Sequence, residues 1–173
     1  HPQIHAAKDQ PNPALQNAPK DCFTVLGLGT VTLRKGVDLF ISVAAEVVRK
    51  NPSKNFRFIW AGHNYAFDKM YKEYLQQQIE RSGLTGKVFL LDEVLDVRPL
   101  YRTADAFLLS SRLDPMPNVA IDAALGGKPV ICFEGASGTA EILLKHEATK
   151  RLVVPYVDTA AAARAIVELE KNR

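Results

Sequence analysis

The sequence predicts an open, doubly wound α/β sheet of about six parallel strands, and three observations carry that expectation. Short apolar runs alternate with amphipathic stretches from Phe23 to the end of the chain. Six short apolar runs alternating with helices mean a parallel sheet covered on both faces. The length, 173 residues, suits one domain, and a domain of that size buries about 70% of the surface its unfolded chain exposes.

The first run is FTVLGLG (23–29), followed by a turn and an amphipathic stretch from Val37 to Arg49. There Val37, Phe40, Ile41, Ala44, Ala45 and Val48 recur at helical spacing and define one buried face. FRFIWAG (56–62) is the second strand, and a polar helix follows over 68–82 with Met70, Tyr74 and Ile79 inward. KVFLL (87–91) precedes a short helix near 97–103, and AFLLS (106–110) precedes one near 118–126. PVICF (129–133) leads to a helix near 139–146, and RLVVP (151–155) leads to the Ala-rich stretch TAAAARAIVELEK. Right-handed crossovers then wind the chain over both faces of the sheet. Ligands of such sheets lie beyond the carboxyl ends of the strands, so the residues just after each strand are the candidates for chemistry.

Residues 1–21 hold four prolines, several amides and few large apolar side chains, and read as an extended linker or arm ahead of a domain at 22–173. Twenty-two basic against nineteen acidic residues leave a net charge of +3, too scattered to point to nucleic acid. The longest apolar runs are too short to span a bilayer, and no charged-then-apolar leader is visible at the start. Cys22 and Cys132 fit buried, reduced thiols in a cytoplasmic protein. His1, His5, His63 and His146 show no metal-ligand spacing, so no metal is expected.

The first strand-to-helix junction, GLGTVTLRKGVDLF, is a poor dinucleotide fingerprint. Gly27 and Gly29 fit G-x-G, but Thr32 stands where a third glycine belongs, and the glycines alone are equally read as permitting a tight turn. Arg34-Lys35-Gly36 lies just before the helix, whose N-terminal amides favour an anion, and a lysine there adds a mobile charge suited to phosphate. A solvated basic turn is the plainer alternative. The segment SSRLDPMPNVAIDAALGGKPV (110–130) sets Asp114 and Asp122 eight positions apart across a loop-to-helix junction stiffened by Pro115 and Pro117. Asp122 would share its helix face with Val119, Ala120, Ala123 and Ala124, where burying it unpaired is costly. That cost suggests a partner such as a ligand hydroxyl; a capping Asp114 and a salt-bridged Asp122 are the alternative.

With these segments in order, residues 23–171 resemble the C-terminal lobe of two-lobed (GT-B) retaining glycosyltransferases of the large family-4 type. The matching pieces are GTVTLRKGVDLFI, WAG, VFLLDEV, PLYRTADAFLLSSR, the carboxylate pair, GGKPVICF, GTAEIL and LVVPYVD, and their order over some 150 residues is the specific feature. The resemblance implies a Rossmann-like lobe that binds a nucleotide diphosphate sugar, the donor, with the acceptor held by an N-terminal lobe across a cleft. Transfer would proceed with retention, to a glycan or lipid-linked glycan, and without an essential metal or other cofactor. The location implied is the cytoplasm, or the inner face of a membrane reached through the other lobe. This lobe alone would bind nucleotide weakly and transfer nothing.

Carried over by position, Lys35 matches the lysine on the donor diphosphate, with Gly29 in the same turn. Thr30 stands where many relatives have an arginine with that task, which leaves Arg34 or the other lobe as a substitute. Asp114 and Asp122 match the two acids of a Glu-x7-Glu motif, the first against the transferred sugar and the second against the ribose. Met116 and Asn118 lie in the intervening loop that approaches the sugar, where Pro115 replaces a common glycine. Glu141 matches a helix-start acid near the diphosphate, and is equally read as a first-turn acid favouring the helix dipole. Each Asp-for-Glu change shortens the reach by one methylene. Three other readings stand beside this one: a non-catalytic nucleotide-binding module of the same fold, an NAD-dependent oxidoreductase domain, and a nucleotide-sugar epimerase of GT-B shape.

Overall fold

The computed structural model describes residues 19–65 and 69–173. Residues 1–18, most of the expected arm, and Asp68 at the expected start of the second helix lie outside the described residues. Six parallel strands form the sheet: β1 (Phe23–Leu28), β2 (Phe56–Ala61), β3 (Val88–Leu91), β4 (Ala106–Leu109), β5 (Val130–Phe133) and β6 (Val153–Val154). Their order across the sheet is β3-β2-β1-β4-β5-β6. The chain therefore builds outward from β1 in one direction, then crosses back to continue from β4 in the other. Between β1 and β4 the direction of winding reverses, which opens a crevice at their carboxyl ends.

The helices are α1 (Val37–Lys50), α2 (Lys69–Arg81), α3 (Arg98–Thr103), α4 (Asn118–Leu125), α5 (Gly138–Leu144), α6 (Glu147–Lys150) and α7 (Thr159–Lys171). The strands are mainly apolar because both faces of the sheet are covered, with Thr24 and Arg57 as buried polar exceptions. One core layer packs α1, α2 and α7 against Val25, Phe58, Trp60, Ile131 and Phe133. The other packs Leu100, Ala120, Ala123 and Ala140 against Leu26, Ile59, Phe107, Leu109 and Cys132. The ring of Phe40 meets those of Phe58 and Trp60 edge-on, with centroids 5.7 and 5.3 Å apart.

Several expectations are corrected. In α2 the inward residues are Leu75 and Ile79, whereas Met70 and Tyr74 are exposed. The helix is docked on α1 by Tyr71 and Gln78, whose side chains reach Asp38 and Ser42, and that stripe turns Met70 and Tyr74 to solvent. In α1 the buried set is Val37, Phe40, Ile41, Val43, Ala44 and Val47, with Ala45 and Val48 only half-buried. This face is wider than one stripe because α1 is flanked by α7 as well as by the sheet. The helix expected near 139–146 ends at Leu144, and the separate turn α6 follows His146. The sixth strand keeps only two residues, since its pairing to β5 is limited to Cys132–Val153 and Phe133–Val154.

Cys22 and Cys132 are free and buried, as expected. Burial pushes the Cys132 thiol up to about 12, so it stays protonated and inert at neutral pH. Gly27 does not serve a turn: it lies within β1, where a Cβ would strike the ring of Trp60. Among the described residues no helix is long and apolar enough to cross a membrane.

Candidate functional site

Three loops meet at the crevice. The first leaves β1 and closes with the 3₁₀ turn Leu33–Lys35. Gly36 ends that turn and caps α1 with φ +70°, a left-handed conformation that suits glycine. A side chain there would collide with the carbonyl oxygen of Ser110, so glycine lets the first loop lie directly on the end of β4. The contact is sewn by backbone and side chain: Arg112 N–H donates to Arg34 O (2.9 Å), and the Ser110 hydroxyl donates to Lys35 O (3.3 Å).

The second loop follows β4 and is paired in turn with the third, after β5. Asp114 N–H donates to Ala136 O (2.8 Å), and Gly138 N–H donates to Pro115 O (2.9 Å). Ser137 caps α5 by accepting from Ala140 N–H (3.3 Å). Pro117 takes the cap position of α4. The starts of α1, α4 and α5 thus lie at the same edge of the sheet as the crevice.

Lys35 and Asp114, 79 positions apart, meet at the floor of this arrangement. The Lys35 ammonium donates to Asp114 Oδ2, with Lys35 15% and Asp114 9% exposed in their side chains. Ser111 Oγ donates to the same oxygen at 3.4 Å. Arg34, half-exposed, sits 3.9 Å from Asp114 Oδ1 and donates to Leu113 O at 3.0 Å. One cation–carboxylate couple and a second cation, Arg34, thus stand together where the loops meet. Such a set can take up a phosphate on the cationic side and sugar hydroxyls on the carboxylate side.

The other candidates lie further out. Gly29 has φ +145° and packs close to the Lys35 stem, while Thr30 is half-buried on the far side of the first loop. Thr30 lines a neighbouring cleft of about 220 Å³ with Gly29, Ala61, Gly62, Glu93 and Val119. Met116, Asn118, Asp122 and Glu141 are exposed, with Glu141 in the first turn of α5. Asp122 corrects the expectation of a costly buried acid: α4 buries Ala120 and Ala123, while Asp122 and Ala124 face solvent. Beside it, burial together with the Asp122 charge pushes the Tyr101 phenol up to about 12. That hydroxyl remains protonated and donates to Val119 O (2.8 Å), fixing α3 to the first turn of α4. Among the described residues no group of His, Cys, Asp and Glu side chains could hold a metal ion.

Sequence reasoning missed Asp38 and Arg112. The Arg112 guanidinium forks onto Asp38 with distances of 2.9 and 2.7 Å, and Tyr71 OH donates to Asp38 Oδ1 at 3.0 Å. The one visible signal was an acid in a helix first turn beside a basic loop. Burial alone would raise the Asp38 carboxyl, but the Arg112 fork and the Tyr71 hydroxyl outweigh it and hold the group below its usual range. A carboxylate depressed in the folded state contributes stability above its unfolded pKa and loses it as pH falls through the folded value. Asp38→Asn is therefore expected to lower stability at neutral pH and to flatten the loss of stability below about pH 4. Urea titrations between pH 3 and 7 measure this; equal slopes for both proteins would contradict it.

The sheet order and the crevice are those of a Rossmann-like α/β lobe. The chain belongs to the glycosyl transferases group 1, whose family model matches residues 22–172. It is 31% identical over 112 residues to the mannosylfructose-phosphate synthase of Agrobacterium fabrum, a stretch covering 62% of this chain and 24% of that one. It is 30% identical over 128 residues to an uncharacterised glycosyltransferase of Methanocaldococcus jannaschii, covering 74% of this chain and 30% of that protein. The chain thus spans about a quarter to a third of the length of these relatives. Among solved structures, Anabaena HepE in complex with UDP superposes with a TM-score of 0.77 at 24% identity, over 88% of this chain and 40% of that one. Sucrose-phosphate synthase of Thermosynechococcus elongatus gives 0.75 at 23%, over 90% and 38%. The fold is accordingly that of one lobe of the GT-B glycosyltransferases, the C-terminal one. Family membership sets the NAD-dependent oxidoreductase reading aside.

Proposed function

We propose that this chain is the donor-binding lobe of a glycosyltransferase that moves a sugar from a nucleotide diphosphate sugar to an acceptor, with retention at the anomeric carbon. The observation that carries the reading is the meeting of Lys35 and Asp114 at the β1/β4 crevice. In this reading the Lys35 ammonium and the N–H groups opening α1 face the diphosphate, and Arg34 adds charge where Thr30 supplies none. As the bond from the anomeric carbon to the diphosphate breaks, negative charge grows on the leaving oxygen, and a fixed ammonium there lowers the barrier. Asp114 accepts from hydroxyls of the transferred sugar through the edge not taken by Lys35, close to Met116 and Asn118. Asp122, exposed on α4, accepts from the ribose hydroxyls, and Glu141 lines the diphosphate side.

The acceptor, held by a further lobe, is on this reading a glycan or a lipid-linked glycan. Support comes from relatives that include a lipopolysaccharide core glycosyltransferase of Rhizobium meliloti and the alpha-galactosylglucosyldiacylglycerol synthase of Streptococcus pneumoniae. The reaction needs no metal in this proposal, takes place at the cytoplasmic side, and awaits closure of two lobes around the donor.

Thermal unfolding with UDP, GDP, ADP or TDP at millimolar concentration tests the proposal. One of them, at about a hundred times its dissociation constant, stabilises the chain by about 2.7 kcal/mol, and the shift disappears in Lys35→Ala. A shift retained in full by that variant would place the nucleotide elsewhere.

A further inference from the structure

Beyond the donor residues the fold holds a groove of about 360 Å³ between α1 and α7, the buried Arg57, and the Arg112 fork. The first two have nothing that identifies an occupant. The third reaches from the loop after β4 to grip the loop that carries Lys35.

We infer that Arg112 is a positioning residue, which sets the place of the Lys35 ammonium by clamping the turn on both sides of it. Its Nη1 donates to Leu33 O at 2.7 Å, and its backbone N–H donates to Arg34 O at 2.9 Å. Both carbonyls immediately before Lys35 are therefore held by one residue. The same guanidinium grips Asp38, three positions after Lys35, with both nitrogens at 2.9 and 2.7 Å. The 3₁₀ turn and the first turn of α1 are thus fixed to the β4 loop by four hydrogen bonds from a single side chain and its amide.

The clamp is itself backed. Tyr71 of α2 donates to Asp38, and the Tyr156 hydroxyl, from the segment after β6, donates to Arg112 O at 3.2 Å. Side chains of Arg112 and Asp38 are 29% and 17% exposed, so the pair is shielded enough to hold its geometry. A planar fork matches a carboxylate with two parallel bonds, whereas a lysine in its place gives a single point contact. Arg112 itself has no share in the ion pair of Lys35 with Asp114; it acts by placing the lysine's backbone. The consequence for nucleotide affinity rests on the diphosphate reading above; the positioning does not.

Competitive labelling of amines with trace acetic anhydride, read by mass spectrometry on the whole chain, tests this directly. In the parent, Lys35 is shielded by its seat on Asp114 and labels slowly. Arg112→Gln is expected to raise Lys35 labelling about fivefold while Lys54 and Lys128, remote from the clamp, keep their rates. Arg112→Lys falls between the two. A purely structural role would act through global opening and raise the reaction of the buried Cys132 thiol with a thiol reagent together with Lys35 labelling, or raise neither. Asp38→Asn, which breaks the fork from its other end, serves if Arg112→Gln does not fold, and is expected to raise Lys35 labelling in the same sense.

Lys35 labelling within twofold of the parent in a folded Arg112→Gln protein, or in Asp38→Asn where that variant replaces it, overturns the inference. The nucleoside diphosphate that stabilises the parent also protects Lys35 from label, and Arg112→Gln weakens its binding about tenfold. If labelling depends on Arg112 yet no nucleotide protects Lys35, the clamp stands and the diphosphate reading fails.

Discussion

Lys35→Ala and Asp114→Ala are each expected to destabilise the fold by about 3 kcal/mol, and the double variant by about 4 kcal/mol rather than their sum. Removing one member of a nearly buried ion pair leaves the other desolvated without a counter-charge, which costs more than the pair contributes. Asp114 loses its closest cation when Lys35 is shortened, because Arg34 is 3.9 Å away and half-exposed. Ser111 compensates in part with a long 3.4 Å bond. Removing both charges relieves the penalty, so the coupling energy in a double-mutant cycle is large, on the order of 2 kcal/mol. Urea unfolding of the four proteins measures it. Additive losses would show that the two side chains do not sense each other in the folded chain.

Gly36→Ala is expected to cost 3 kcal/mol or more, on the order of a left-handed penalty plus a steric one. At φ +70° any other residue is strained, and the added methyl would meet the Ser110 carbonyl, which belongs to a fully buried residue at the end of β4. Neither backbone can give way without unpicking the contact between the first and second loops. Gly86 is the internal control: it has φ +77° with open space around it, so Gly86→Ala bears the conformational penalty alone. A chemical denaturation series that gave the two alanine variants equal losses would remove the argument that glycine is required here for close approach.

The sheet was legible because its cause is local. Both-face burial writes continuous apolar runs, and the alternation with amphipathic stretches admits one architecture. The inner face of α2 was not, because a helix with only Leu75 and Ile79 fully buried has little periodicity to read, and its docking is made by Tyr71 and Gln78 through polar contacts. The break after Leu144 and the two-residue β6 are set by tertiary pairing that leaves no mark in composition.

At the site, Lys35 and Asp114 stood out by type and by position after a strand, and the resemblance gave each a role. That they touch could not be read, since 79 residues separate them and only the adjacency of β1 and β4 brings their loops together. The Arg112–Asp38 fork was hidden for the same reason, across 74 positions. Asp122 was misjudged as buried because small neighbours on α4 suggested an apolar face, whereas the helix is short and turns only Ala120 and Ala123 inward.

Amide chemical-shift mapping of the chain with the nucleoside diphosphate that stabilises it tests whether the donor seats on Lys35 at the β1/β4 crevice. The perturbed residues are expected to form one patch, from Gly29 to Val37, from Ser110 to Asn118 and from Ser137 to Glu141, and Lys35→Ala to abolish the patch at the same ligand concentration. Perturbation centred instead on the α1–α7 groove, around Glu46, Lys50, Ala163 and Val167, would contradict it.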